Sequence, residues 1–174
     1  LAMNYEKSTL QCYIRGWKKL PLRLHGESIN PHLDLKQTSF DFGQIVVGGS
    51  MALPLTLRND SPVLAQTQLT WGHQMGKDFF LTLLDPYGRA KPLDKLDSAP
   101  MLDEEGNSVS IVSGISGRAT KISLGPLSTI RACLVFRPEK MKQYNLDLPL
   151  QILGVQGDRS LIRPVVAQAT RSAL

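Results

Sequence analysis

Three observations predict that this chain is an all-β sandwich. Between Ser39 and Asn59 the sequence runs SFDFGQIVVGGSMALPLTLRN, and in its second half Met51, Leu53, Leu55 and Leu57 alternate with Ala52, Pro54, Thr56 and Arg58. That is the two-residue period of an extended strand with one apolar face. Short runs of the same kind recur along the chain, punctuated by Gly, Pro, Asn and Asp, as in stacked antiparallel sheets. Apolar spacing at the helical period is nearly absent, so helix should be scarce.

Taken in order, the first element is a hairpin. Leu10, Cys12 and Ile14, then Leu20, Leu22 and Leu24, alternate on either side of Gly16-Trp17-Lys18-Lys19, a strand–turn–strand signal. The chain ends on the same plan: Leu146, Leu148, Leu150 and Ile152 alternate, Gly154 to Asp158 turn, and Leu161 to Ala167 follow. Residues 1–26 therefore read as the tail of a preceding copy of one repeated domain, or as an N-terminal extension of the same sandwich. The sandwich itself spans 27–170, and 171–174 are a tail.

Within the sandwich the expected strands are Leu33 to Lys36, Phe42 to Val47, Met51 to Arg58, Ala65 to Trp71 and Phe79 to Leu84, and then Thr120 to Leu124, Thr129 to Arg137, Tyr144 to Leu153 and Leu161 to Gln168. Gly43 should make a turn after the aromatic pair Phe40 and Phe42, and Gly48-Gly49-Ser50 a hairpin connection. Pro54 and Pro149 fall mid-strand, and because proline cannot donate to a ladder, each should lie at an edge or a bulge. Trp71, in phase with Ala65, Thr67 and Leu69, should be buried. Asp85 to Gly117 is rich in Gly, Pro and Asn and holds one strand-like run, Ser108 to Val112. We read it as a long inserted loop or extended hairpin, disordered at its tip around Asp103, Glu104 and Glu105, because loops of this length are uncommon in compact domains.

Composition excludes several classes. Hydrophobic content of 42% and charged content of 20% are those of an ordinary globular protein rather than a disordered one. A net charge of +5 is compatible with an acidic partner, but the basic residues form solvated clusters (Arg15, Lys18, Lys19, Arg23; Arg137, Lys140, Lys142) rather than a block. Aromatics make up 6%, too few for a base-stacking platform flanked by cations, so nucleic acid is not an expected partner. Cys12 and Cys133 form no framework and no CxxC, and read as free thiols in a reducing compartment. No apolar run reaches the roughly 18 residues of a membrane span.

Catalytic chemistry finds no support. His25, His32 and His73 lack companions at zinc-site spacing, no nucleophile elbow occurs, and Val47-Gly48-Gly49-Ser50 opens no helix that would cradle phosphate. We therefore expect no catalytic residues, no metal and no cofactor. Asn59-Asp60-Ser61 matches the glycosylation sequon, which a cytoplasmic protein would not use.

The FDFG segment, the alternating strand ending in Leu57-Arg58-Asn59-Asp60-Ser61, Phe79-Phe80, Ile122 to Pro126 and Ala132 to Pro138 together resemble the ASH domains (ASPM, SPD-2, Hydin), relatives of the PapD and major sperm protein folds. The resemblance covers about residues 27 to 170. It implies an immunoglobulin-like (PapD/MSP-type) β-sandwich that acts without catalysis, as a scaffold or recruitment module. The setting it implies is the cytoplasm, cytoskeleton and ciliary axoneme, in the central-pair apparatus, with a centrosomal or membrane-trafficking protein as the alternative. Implied partners are neighbouring domains of the same chain and axonemal proteins, including microtubule-associated ones. The lysine face with which the sperm-protein relatives hold acidic motifs has no counterpart here. Candidate protein contacts are Trp17, at the tip of the early hairpin, and, in the long segment, Tyr87, Arg89, Asp103, Glu104 and Glu105.

Overall fold

The computed structural model describes residues 3–16, 18–70, 77–84, 88–91, 101–102, 108–113, 119–155 and 160–171. Two compact units divide at Asn30/Pro31. The first is a hairpin, β1 (Met3–Cys12) paired antiparallel with β2 (Leu20–Ser28).

The second is the sandwich. Its five-stranded sheet has the order β3-β5-β12-β7-β8 and its seven-stranded sheet the order β4-β14-β13-β6-β11-β10-β9. The strands are β3 (Leu33–Leu35), β4 (Phe40–Val46), β5 (Met51–Asn59), β6 (Ala65–Thr70), β7 (Phe79–Leu84), β8 (Ala90–Lys91), β9 (Met101–Leu102), β10 (Ser108–Ser113), β11 (Ala119–Leu124), β12 (Thr129–Phe136), β13 (Gln143–Leu153) and β14 (Ser160–Thr170). Among the described residues there is no helix. The fold is the all-β sandwich the alternation predicted. Leu55 and Leu57 from one sheet meet Phe40, Leu148 and Val165 from the other in a single buried cluster.

The FDFG stretch differs from expectation in an instructive way. Gly43 does not end the strand. Asp41 Oδ1 accepts the Gly43 N–H at 2.9 Å, Gly43 takes φ 58°, and the pairing of β4 with β14 shifts register there. This is a bulge, with one extra residue in β4, and it reverses which residues face inward. Phe40 and Phe42 are buried before it, while Ile45 and Val47 pack on the core after it. The unbroken run Ile45-Val46-Val47 is thus ordinary alternation restarted one residue out of phase.

Gly48-Gly49-Ser50 is a correction: it is no hairpin. β4 pairs in parallel with β14 while β5 lies in the other sheet, so this turn carries the chain between layers. The Gly49 N–H closes it on Val46 O at 2.8 Å, and the Gly48 N–H reaches Pro138 O at 3.0 Å.

The prolines sit where no ladder bond is lost. Thr56 turns its backbone toward β3, its N–H donating to Gln37 Oε1 and its carbonyl accepting from Lys36. Pro54 shares that phase, beyond the last residue β3 pairs, so its missing N–H would have met no strand. Pro149 and Pro164 lie opposite Ile162 and Asp147, in the phase alternate to the Ala169 N–H bond with Lys142 O. Each flanks the end of the pairing on its outer side.

Asp85 to Gly117, expected as a long loop or extended hairpin with one strand-like run at Ser108 to Val112, carries that run as β10 and adds two shorter strands. β8 extends the five-stranded layer beside β7, and β9 and β10 extend the seven-stranded layer beyond β11. The segment therefore supplies edge strands to both layers. Its expected tip at Asp103 to Glu105 lies outside the described residues, as does Trp71.

Candidate protein-interaction surface

Two polar clusters pin the ends of the sandwich, the first buried and the second half-buried around Asp78. At one end Asn59, the last residue of β5, is fully buried. Its Nδ2 donates to Val63 O (2.8 Å), Gly125 O (2.8 Å) and Leu124 O (3.3 Å). Its Oδ1 accepts from the Ser61 N–H at 3.0 Å and from Ser61 Oγ. Ser128 Oγ donates to Gly125 O, and the Asn59 N–H to Ser128 O, each at 2.8 Å. The two corners joined here, Asp60 to Leu64 and Gly125 to Ser128, each carry the chain from one sheet to the other. The L-x-N-x-S motif is thus architectural, and its sequon asparagine is sealed from any modifying enzyme once the domain folds.

At the other end Tyr144 Oη donates to Asp78 Oδ2, Asp78 Oδ1 accepts the Glu139 N–H at 3.1 Å, and Asp78 O accepts the Arg137 N–H at 2.7 Å. Phe79 stacks on Phe136 with ring centroids 4.7 Å apart, and Tyr144 meets both edge-on. Burial, then the hydrogen bond to Asp78 and its negative charge, push the Tyr144 hydroxyl above its ordinary range. It stays a neutral donor, a strut rather than an acid or base.

Surface chemistry is sparse. His32 and Arg58 flank the Asp60 carboxylate on exposed ground. Among the described residues no group of three or more His, Cys, Asp or Glu is placed to hold a metal. Of the sequence-predicted contacts, Trp17, Tyr87, Asp103, Glu104 and Glu105 lie outside the described residues. Arg89 is exposed immediately before β8. Of these positions the structure describes only Arg89.

It does assemble an apolar strip that the sequence reading missed. On the outer face of the five-stranded sheet Val135 lies between Ala52 and Phe80, and Cys133 lies between Pro54 and Thr82. Phe80 is 39% exposed, and Ala52 and Pro54 are exposed beside it. The signal was present in Phe79-Phe80: successive strand residues face opposite ways, so one of two adjacent phenylalanines must point outward. Burial pushes the Cys133 thiol up, leaving it protonated and weakly nucleophilic, a contact rather than a reactive group. The outer face of the other sheet is narrower. Ile162, Pro164 and Val166 of β14 are exposed, but Asp147, Asn145 and Asp41 sit opposite Pro164 and Val166.

The strip borders β7, which only the two-residue β8 follows in its sheet among the described residues. The Arg137 N–H bond to Asp78 O sets the phase of β7, so Phe79 and Leu81 turn their N–H and C=O groups away from β12. Among the described residues β8 pairs with β7 only at Leu83 and Leu84.

No family model and no curated protein matches this chain. Among solved structures, the ASH/PapD-like domain 7 of human CEP192 is similar at 13% identity and a TM-score of 0.46, over 80% of this chain and 86% of that one. A family 123 glycoside hydrolase from Clostridium perfringens matches at 6% identity and a TM-score of 0.37, over 82% of this chain and 28% of that one. The CooA pilin subunit of enterotoxigenic Escherichia coli matches at 9% identity and a TM-score of 0.32, over 79% of this chain and 98% of that one. Likenesses this distant carry no activity across.

Proposed function

We propose that this chain carries an ASH-type protein-interaction domain that holds neighbours by surface contact rather than by chemistry. The observation that carries the reading is the strip Ala52–Val135–Phe80 across three adjacent strands. A flat apolar patch rimmed by polar residues is the usual form of a docking face. Beside it no strand among the described residues pairs with Phe79 and Leu81 on the side away from β12, and a strand added there would bring main-chain bonds for affinity and the strip for specificity.

The parent we infer is a large protein of the ciliary axoneme resembling Hydin, in which such domains hold together the projections of the central pair. The sequence likeness from FDFG to Ala132–Pro138 supports that setting. Its test is affinity capture from axoneme extract with the native chain beside Phe80→Glu, whose outward side chain can change without disturbing the core. Central-pair proteins retained by the native chain and lost by the variant are the expected result. Retention by both would remove the strip as the site, and enrichment of centrosomal or membrane-trafficking proteins from whole-cell extract would move the domain to that setting instead.

A further inference from the structure

The β1–β2 hairpin has two unlike faces. Leu10, Leu20, Leu22 and Leu24, with Ile14 near the turn, are between 46% and 51% exposed, and cross-strand pairing puts Leu10 opposite Leu22, Cys12 opposite Leu20 and Ser8 opposite Leu24 on one side. The other side carries Thr9 opposite Arg23 and Gln11 opposite Pro21. An isolated two-stranded hairpin is marginal in water, and an apolar row of this length is a face built to be covered.

What covers it is indicated by a second hairpin in the same chain. Gly16 and Gly154 both take positive φ, 85° and 74°. Ile14, Cys12 and Leu10 precede the first at the same spacing as Ile152, Leu150 and Leu148 precede the second. The pairing then runs in step: Cys12 to Leu20 as Leu150 to Leu161, Leu10 to Leu22 as Leu148 to Arg163, and Ser8 to Leu24 as Leu146 to Val165. In β13–β14 that face is the inner wall of the sandwich, with Leu148, Leu150 and Val165 no more than 1% exposed beneath the opposite sheet.

We propose that β1–β2 is the closing hairpin of a second sandwich of the same type, and that its leucine face is covered by the apolar inner face of that sandwich's facing sheet, carried by the parent polypeptide before Leu1. The polar face remains in water, as the outer faces of β13 and β14 do.

Hydrogen exchange tests this in the 174-residue chain and in the parent extended upstream by one domain, about 100–150 residues. The β1 and β2 amides should exchange freely in the shorter chain at every protein concentration, and the shorter chain should bind a hydrophobic dye. In the extended chain they should slow by about 100-fold or more, the mark of incorporation into a cooperative unit, and dye binding should fall. Leu22→Ser should undo that protection in the extended chain while Arg23→Ser, on the polar face, leaves it. Protection already present in the dilute shorter chain would assign the hairpin to the sandwich that follows it, and protection appearing only with rising concentration would assign it to a second copy. Either result, or free exchange in the extended chain, overturns the proposal.

Discussion

The side-chain amide of Asn59 donates to the carbonyl oxygen of Gly125 at 2.8 Å across 66 residues of sequence, and in doing so ties together two corners at which the chain changes sheets. Removing the amide takes one donor from each of the carbonyls of Val63, Leu124 and Gly125, although Ser61 Oγ still reaches Val63 O and Ser128 Oγ still reaches Gly125 O. Asn59→Ala should therefore cost about 2–4 kcal/mol, the sum of several lost bonds in a buried network. Asn59→Asp should cost more, because it keeps the shape but turns a carboxylate oxygen on those carbonyls. Urea midpoints of the two variants check both the size and the order.

Tyr144 and Asp78 make the second tie, and here the prediction concerns pH. The folded state holds the Tyr144 hydroxyl above its ordinary value of 10.0, so above that pH the unfolded chain has released a proton that the folded chain keeps. Stability from this group is complete below pH ~10 and declines as pH rises toward the folded value. The native chain should lose stability relative to Tyr144→Phe as alkaline titration proceeds, while at neutral pH the variant is the less stable by about 2 kcal/mol for a lost bond to a carboxylate. Thermal melts of the pair at several pH values should converge as pH rises.

Arg163 reaches from β14 to the chain that leaves β3, its Nε donating to Gln37 O at 2.7 Å and its Nη2 to Leu35 O at 3.3 Å. It thereby fastens the short edge strand of one sheet to a strand of the other. A planar fork serves two carbonyls where an ammonium serves fewer in fixed directions, so Arg163→Lys should recover only part of the about 1–3 kcal/mol lost in Arg163→Ala. Faster hydrogen exchange confined to β3 and the end of β5, with which it pairs, would mark the loss as local.

Gly43 offers a separation of conformation from packing. An added Cβ there meets nothing within 4 Å, yet the residue sits at φ 58°. Gly43→Ala should cost about 1–2 kcal/mol from the left-handed backbone alone, a fall in Tm of about 2–8 °C. A drop far beyond that range would mean that the bulge had shifted and exposed Phe42.

Much of the fold was legible in the sequence because a strand writes its exposure into every second residue. Met51 to Arg58 announced its inward leucines, Thr129 to Arg137 its alternation, and Ser108 to Val112 its run inside a stretch otherwise read as loop. Even the bulge is visible in retrospect, since Phe40 and Phe42 and then Ile45 and Val47 keep alternation on either side of one glycine.

What alternation cannot state is which strand lies beside which. β4 pairs with β14, more than a hundred residues away, and β5 turns into the other layer, so a glycine pair that looks like a hairpin becomes a crossing between sheets. The same holds for the outer apolar strip: Ala52, Phe80 and Val135 come from three strands, and only their pairing makes a surface of them. The sequence by itself determined the strands and their inner faces, because those follow from local periodicity. Sheet membership, the carbonyls that Asn59 meets and the outer apolar strip were decided by the tertiary structure, because each depends on backbone hydrogen bonds between segments whose spacing leaves no periodic mark.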